Sequence, residues 1–220
     1  MKPTPTPRVK ICCIASMEEA WTAIRHGASA VGLVSEMPSG PGVIAEELIV
    51  EIAGRLPPAV SSFLLTCRQD ARSIIEQQRR CRTNTIQICD RLEAGSYLEM
   101  REALPGIKLV QVIHVTGEEA LAEALSVAKD VDAILLDSGN QSLPVKELGG
   151  TGRTHDWTIS RKIREQASVP LFLAGGIKPS NVREAVSHVR PFGIDMCTGV
   201  RTDGRLDENK LSELFRALSS

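Results

Sequence analysis

Eight times along its 220 residues the chain repeats one arrangement: a short apolar run, then a segment whose apolar side chains recur at helical spacing. The runs fall at 8–14, 29–34, 60–65, 83–88, 108–113, 131–136, 169–174 and 192–197. Helix-like segments follow at 17–27, 44–55, 69–80, 94–103, 117–129, 157–167, 179–188 and 207–218. Each run is brief and rich in β-branched or other apolar residues, which suits strands covered on both faces. Strands alternating with helices predict a parallel sheet with crossover helices. Eight such units match a (β/α)₈ barrel, whose usual length is ~250 residues. The competing doubly wound open sheet normally has about five or six strands and a Gly-rich first turn. The first turn here, "CCIASMEEA", has no glycine. The expected fold is therefore α/β, a single (β/α)₈ TIM-barrel domain over residues 1–220, with residues 1–7 as a flexible N-terminal lead-in.

Helix boundaries carry chemical signals. Ser16 with Glu19, and Thr116 with Glu119, have the spacing of a capping box. Gly27 stands where a left-handed C-cap is usual.

Charge narrows the partners. The formal net charge is −1 and aromatics make up 3% of the chain, so neither a general pull toward nucleic acid nor base stacking is expected. "MKPTPTPRVK" lacks the apolar core of a signal peptide, and no apolar run is long enough to span a bilayer. A cytoplasmic protein without a membrane partner is expected. The six cysteines (Cys12, Cys13, Cys67, Cys81, Cys89, Cys197) form no C-x-x-C pair and have no zinc-like spacing with histidine. Reduced thiols and no metal are expected.

In such a barrel the chemistry lies at the strand C-termini. Alternation in the first run places Val9, Ile11 and Cys13 on one face, Lys10 and Cys12 on the other. The helix-facing side should be apolar, so Lys10 and Cys12 are predicted to point into the barrel and Cys13 to pack against helices. The same alternation turns Asp137 inward on the sixth strand. Glycine clusters at 149–152, 174–177 and 198–200 follow strands six, seven and eight. Glycine lets backbone N–H groups approach an anion, and these barrels build their phosphate site after strands 7–8. A phosphorylated small-molecule substrate is the expected partner.

Together, "KICCI", "LLDS", "GGTGRTHDW", "LAGGIKPSNV" and "IDMCTGV" resemble, in order and spacing, the phosphoribosylanthranilate isomerase family from about residue 9 to residue 210. The resemblance implies an Amadori rearrangement of N-(5′-phosphoribosyl)anthranilate in tryptophan biosynthesis, without cofactor or metal. It implies Cys12 as general base and Asp137 as general acid. It further implies Asp195, Gln87 and Arg201 near the substrate. Phosphate would rest on the backbone around Gly150, Gly152, Gly175, Gly176, Thr198 and Gly199. Family members are monomers or dimers, so a homodimer is compatible with it.

The chain departs from the family's pattern at several places. Pro41 stands where the family has an arginine for the anthranilate carboxylate, and Cys13 where it has glycine. Thr66 replaces an asparagine, Cys89-Asp90 replaces His-Gly after Gln87-Ile88, and Arg201 replaces a glutamate. Arg201 or Arg153 would have to supply the missing cation. Two alternatives follow: a paralogue acting on another aminoribose or sugar phosphate, or a non-catalytic phosphate-binding barrel.

Overall fold

The computed structural model describes residues 6–219. Residues 1–5 of the expected lead-in lie outside the described residues; Thr6 is exposed and Pro7 is buried. Eight parallel strands close on themselves in sequence order, β1 pairing with both β2 and β8. They are β1 (Arg8–Ile11), β2 (Ala30–Val34), β3 (Ser61–Thr66), β4 (Thr85–Ile88), β5 (Lys108–His114), β6 (Ala133–Asp137), β7 (Leu171–Leu173) and β8 (Gly193–Met196). The intervening helices are α1 (Met17–His26), α2 (Glu46–Arg55), α3 (Ala71–Cys81), α4 (Tyr97–Ala103), α5 (Glu119–Val127), α6 (Trp157–Gln166), α7 (Val182–Val189) and α8 (Glu208–Ser219).

Two apolar layers hold this arrangement, as strand alternation dictates. The outward residues Val9, Ile11, Ile134, Leu136 and Ile194 pack under the helices. The inward residues Phe63, Leu65, Val110, Val112, Leu135 and Phe172 fill the barrel. Phe63 and Phe172 meet edge to face, centroids 6.0 Å apart, closing the interior beneath the mouth. Lys10 lies wholly buried within this inner layer, its Nζ 2.9 Å from Asp195 Oδ1 on the adjoining strand. A charge at that depth is tolerated because it is paired.

Local signals explain several boundaries. Ser16 accepts from the Glu19 N–H at 3.1 Å and caps α1. Gly27 ends α1 at φ 113°, with its N–H on the Ala23 and Ile24 carbonyls. The second capping box does not form. Helix α5 starts at Glu119 without a side-chain cap, and Thr116 Oγ1 bonds the Glu119 carboxylate at 2.8 Å instead. After β8 a single 3₁₀ turn (Thr198–Val200) leads into a hairpin, β9 (Arg201–Thr202) and β10 (Arg205–Leu206). Its two central residues, Asp203 and Gly204, both have positive φ (50° and 77°). Asp-Gly is a strong signal for such a turn, and it marks an element absent from the periodicity reading. No helix among the described residues is long and apolar enough to cross a membrane.

Candidate active site

The strand C-termini surround one cavity. Cys12 comes from the end of β1, Gln87 from β4, Asp137 from β6 and Asp195 from β8. Gly150, Gly152, Gly175, Gly176 and Thr198 form one wall. Met37, Ser39 and Pro41 from the loop after β2, with Leu65 and Leu148, complete the lining, Pro41 lying directly against Gly150.

Cys12 faces inward as alternation requires. Its neighbour across the sheet is Gly32, and that glycine is necessary. A Cβ at Gly32 would fall 2.8 Å from Cys12 Sγ and 3.0 Å from Lys10 Nζ. The missing side chain leaves the space in which sulfur and ammonium sit side by side. Three influences set the Cys12 proton. The adjoining Cys13 thiol lowers its affinity most, burial opposes, and the Lys10 cation lowers it again; the balance lies below the ordinary thiol value, while the Cys13 sulfur itself contacts Pro41 O at 3.5 Å and Cys197 Sγ at 2.7 Å. Burial disfavours the Lys10 charge, but Asp195 and Cys12 outweigh it and keep the ammonium protonated.

Asp137 is held without being consumed. Its Oδ1 accepts from the Ser138 N–H at 2.6 Å and from Ser138 Oγ at 3.4 Å. Its Oδ2 faces Gly149, where a Cβ would come within 2.7 Å. Ser138 Oγ in turn shares a 2.8 Å bond with Thr151 Oγ1, tying the β6 end to the glycine loop. A carboxyl and a thiol from different strands thus open into one cavity beside a cradle of glycine amides.

Arg201 differs from the expectation. It does not line the cavity. Its guanidinium pairs with Glu19 Oε1 at 2.9 Å and donates to the Cys13 carbonyl at 2.5 Å and the Cys12 carbonyl at 3.3 Å. Glu19 also accepts from Leu206 N at 3.0 Å and Ala15 N at 3.0 Å. The pair braces the loop after β1 through the Cys12 and Cys13 carbonyls. Gly199 also sits behind the wall: a Cβ there would run into the Ile177 carbonyl, and its role is to let two loops touch. Arg153 pairs with Glu147 at the surface. Neither expected substitute cation lines the cavity. Among the described residues, no lysine or arginine lines the cavity.

Cys13 is the second correction. It does not pack against helices. At φ 62° it leaves the strand's alternation, and its Sγ lies 2.7 Å from Cys197 Sγ at the mouth. Cys89, with its thiol 3.8 Å from Gln87 Nε2, lines the cavity too. Strand periodicity has no means of finding Cys13 or Cys197, because a positive φ and a contact across 184 residues leave no mark in spacing. Among the described residues, no group of three or more His, Cys, Asp or Glu side chains could hold a metal ion.

Barrel, paired acid–base groups and anion cradle define an enzyme of the (β/α)₈ class that moves protons on a small phosphorylated molecule. Residues 9–217 match the family model described as N-(5′-phosphoribosyl)anthranilate (PRA) isomerase. A relative of that name from Methanosarcina acetivorans is 33% identical, spanning 94% of this chain and 91% of its own. One from Methanosarcina mazei is 34% identical over 93% of this chain and 90% of its own. The crystal structure of phosphoribosyl anthranilate isomerase from Thermotoga maritima superposes with a TM-score of 0.79 at 28% identity, covering 97% of this chain and 98% of its own. A phosphoribosyl anthranilate isomerase in complex with reduced 1-(o-carboxyphenylamino)-1-deoxyribulose 5-phosphate superposes with a TM-score of 0.76 at 27% identity, covering 97% and 98%. The chain belongs to the N-(5′-phosphoribosyl)anthranilate isomerase family.

Proposed function

We propose that this chain, acting as one barrel domain in the cytoplasm, converts N-(5′-phosphoribosyl)anthranilate to 1-(2-carboxyphenylamino)-1-deoxyribulose 5-phosphate in tryptophan biosynthesis. The observation that carries this reading is Cys12 and Asp137 opening into one cavity beside the glycine cradle. The 5′-phosphate rests on backbone amides around Gly150, Gly152, Gly175, Gly176 and Thr198, as anions do at glycine-rich turns. Asp137 protonates the ribose ring oxygen, and the ring opens to an iminium between C1′ and the anthranilate nitrogen. The Cys12 thiolate then takes the C2′ proton, leaving an enolamine. Its tautomerisation returns a proton to C1′ and leaves a ketone at C2′, so nothing is gained or lost overall. Each proton-transfer group contributes ~10²–10⁴-fold. Asp195, fixed by Lys10, and Gln87 line the floor and face the sugar hydroxyls.

The test is the loss of phosphoribosylanthranilate fluorescence on adding the protein. Wild type consumes the substrate and Cys12→Ala does not. Undiminished turnover in Cys12→Ala would refute the assignment of the base. A second reading rests on the uncharged aglycone side: an N-phosphoribosyl amine without a carboxylate as substrate. It gains if phosphoribosylanthranilate is untouched while ribulose 5-phosphate binds. A neighbour with a TM-score of 0.77 is described as monomers made from the dimeric Thermotoga maritima enzyme; a homodimer is the proposed state here, checked by sedimentation equilibrium.

A further inference from the structure

We propose that Cys13 and Cys197 form a reversible disulfide at the active-site mouth, a thiol-modification site that switches the neighbouring base. Their sulfurs are 2.7 Å apart, whereas non-bonded sulfurs normally keep well over 3 Å; closing to a bond of about 2.05 Å needs a shift of only about 0.7 Å. The two residues extend adjacent, hydrogen-bonded strands: β1 and β8 pair through Ile11↔Met196, and the Cys12 N–H bonds the Met196 carbonyl at 2.7 Å. No rearrangement of the barrel is required to join them. Cys197 is partly exposed and both thiols line the open cavity, so a small oxidant reaches them. Cys81 contrasts with them: it is buried in the layer under the helices and lines no part of this mouth.

Backbone conformation supports a role for Cys13. It holds φ 62°, a left-handed conformation that a residue with a Cβ adopts at a cost. Strain of this kind tends to persist where it serves function. Here it turns the thiol away from the helix side and onto Cys197.

The co-reactant is a low-molecular-weight disulfide, RSSR. The Cys197 thiolate attacks one sulfur, forming a mixed disulfide and releasing RS⁻. Cys13 sulfur then attacks Cys197 sulfur, losing its proton to water in the open cavity, and the second RS⁻ leaves. Both RS⁻ groups are protonated in solvent. Two protein thiols are oxidised and one RSSR is reduced to two RSH. Once joined, Cys13 and Cys197 put a disulfide into the cavity wall beside Cys12 in place of a thiol that favours the Cys12 thiolate. That consequence, unlike the bond itself, rests on Cys12 being the base.

The experiment incubates the full chain with oxidised glutathione and maps the non-reduced digest by mass spectrometry. Thiol count and turnover of phosphoribosylanthranilate are followed alongside. A Cys13–Cys197 cross-linked peptide is expected, with loss of two thiols, a fall in turnover, and recovery with dithiothreitol. In Cys197→Ser and in Cys13→Gly, the ratio of oxidised to reduced turnover should return to one. Absence of the cross-link, glutathionyl adducts alone, or a Cys12–Cys13 pairing would overturn the proposal. A cross-link with unchanged turnover would overturn its coupling to the base. If the wild type consumes no phosphoribosylanthranilate, the functional reading fails, and the mapped bond still decides the modification site.

Discussion

Replacing Lys10 by methionine removes the cation paired with a deeply placed carboxylate, and the consequence follows from the geometry. Lys10 and Asp195 are 2.9 Å apart with side-chain exposures of 0% and 8%. Taking away one member of such a pair leaves the other charge buried alone, which costs about 3–5 kcal/mol. For a chain of this length that lowers the Tm by about 6–20 °C. The loss should depend on pH. Burial already raises the Asp195 carboxyl above its ordinary 3.8, with Lys10 pulling it back. In Lys10→Met the main pull in that direction is gone. Between 3.8 and the raised value, the folded state then holds more protons than the unfolded state, so stability falls as pH rises through that window. The deficit relative to wild type is full above the raised value and shrinks as pH falls toward 3.8. Removing both charges, in Lys10→Met/Asp195→Leu, should recover most of the loss, because an apolar pair of similar volume no longer strands a charge. Urea unfolding of the three proteins between pH 4 and pH 8 provides the assay. A deficit below about 1 kcal/mol, or one that does not change with pH, would show that the pair is neither buried nor charged as described.

Other outcomes follow from the same geometry. Asp137→Asn keeps an oxygen for the Ser138 N–H, so the fold should survive while kcat drops by ~10²–10⁴; steady-state kinetics beside a thermal melt separates the two effects. The log of kcat/KM should fall on the acid side as Cys12 becomes protonated, with its midpoint below the ordinary thiol value of 9.0. A limb at or above 9.0 in the pH profile would speak against a stabilised thiolate. Glu19→Gln should cost about 1.5–3 kcal/mol by weakening the brace on Arg201, and circular-dichroism melts would register it; an unchanged melting curve would mean the brace is not needed.

The barrel was legible because both of its apolar layers repeat. Alternation in "RVKICCI" and "VDAILL" places Lys10, Cys12 and Asp137 inside, and the structure has them there. The same rule misplaced Cys13, since it assumes an extended backbone and this residue has φ 62°. Arg201 shows a different limit. Its position in a family motif points toward substrate, while its conformation is decided by Glu19, which lies 182 residues earlier. The spacing of Ser16 and Glu19 marks a capping residue, but a cap serves its own helix and says nothing of a distant guanidinium. The β9–β10 hairpin was missed although Asp203-Gly204 announces a tight turn, because two-residue strands are too short for periodicity. Gly199 is ambiguous in sequence for a related reason. A glycine kept for close approach of two loops reads in sequence like a glycine kept for an anion.

The central claim is one of placement, and a crystal structure of this protein with reduced 1-(o-carboxyphenylamino)-1-deoxyribulose 5-phosphate tests it most directly. The account predicts the phosphate against the amides around Gly150, Gly176 and Thr198, with Cys12 Sγ about 3–3.5 Å from C2′. It also places the Asp137 carboxyl within hydrogen-bond reach of the oxygen released from the ring. A ligand bound elsewhere, or bound there with Cys12 and Asp137 both out of reach of the sugar, would contradict it.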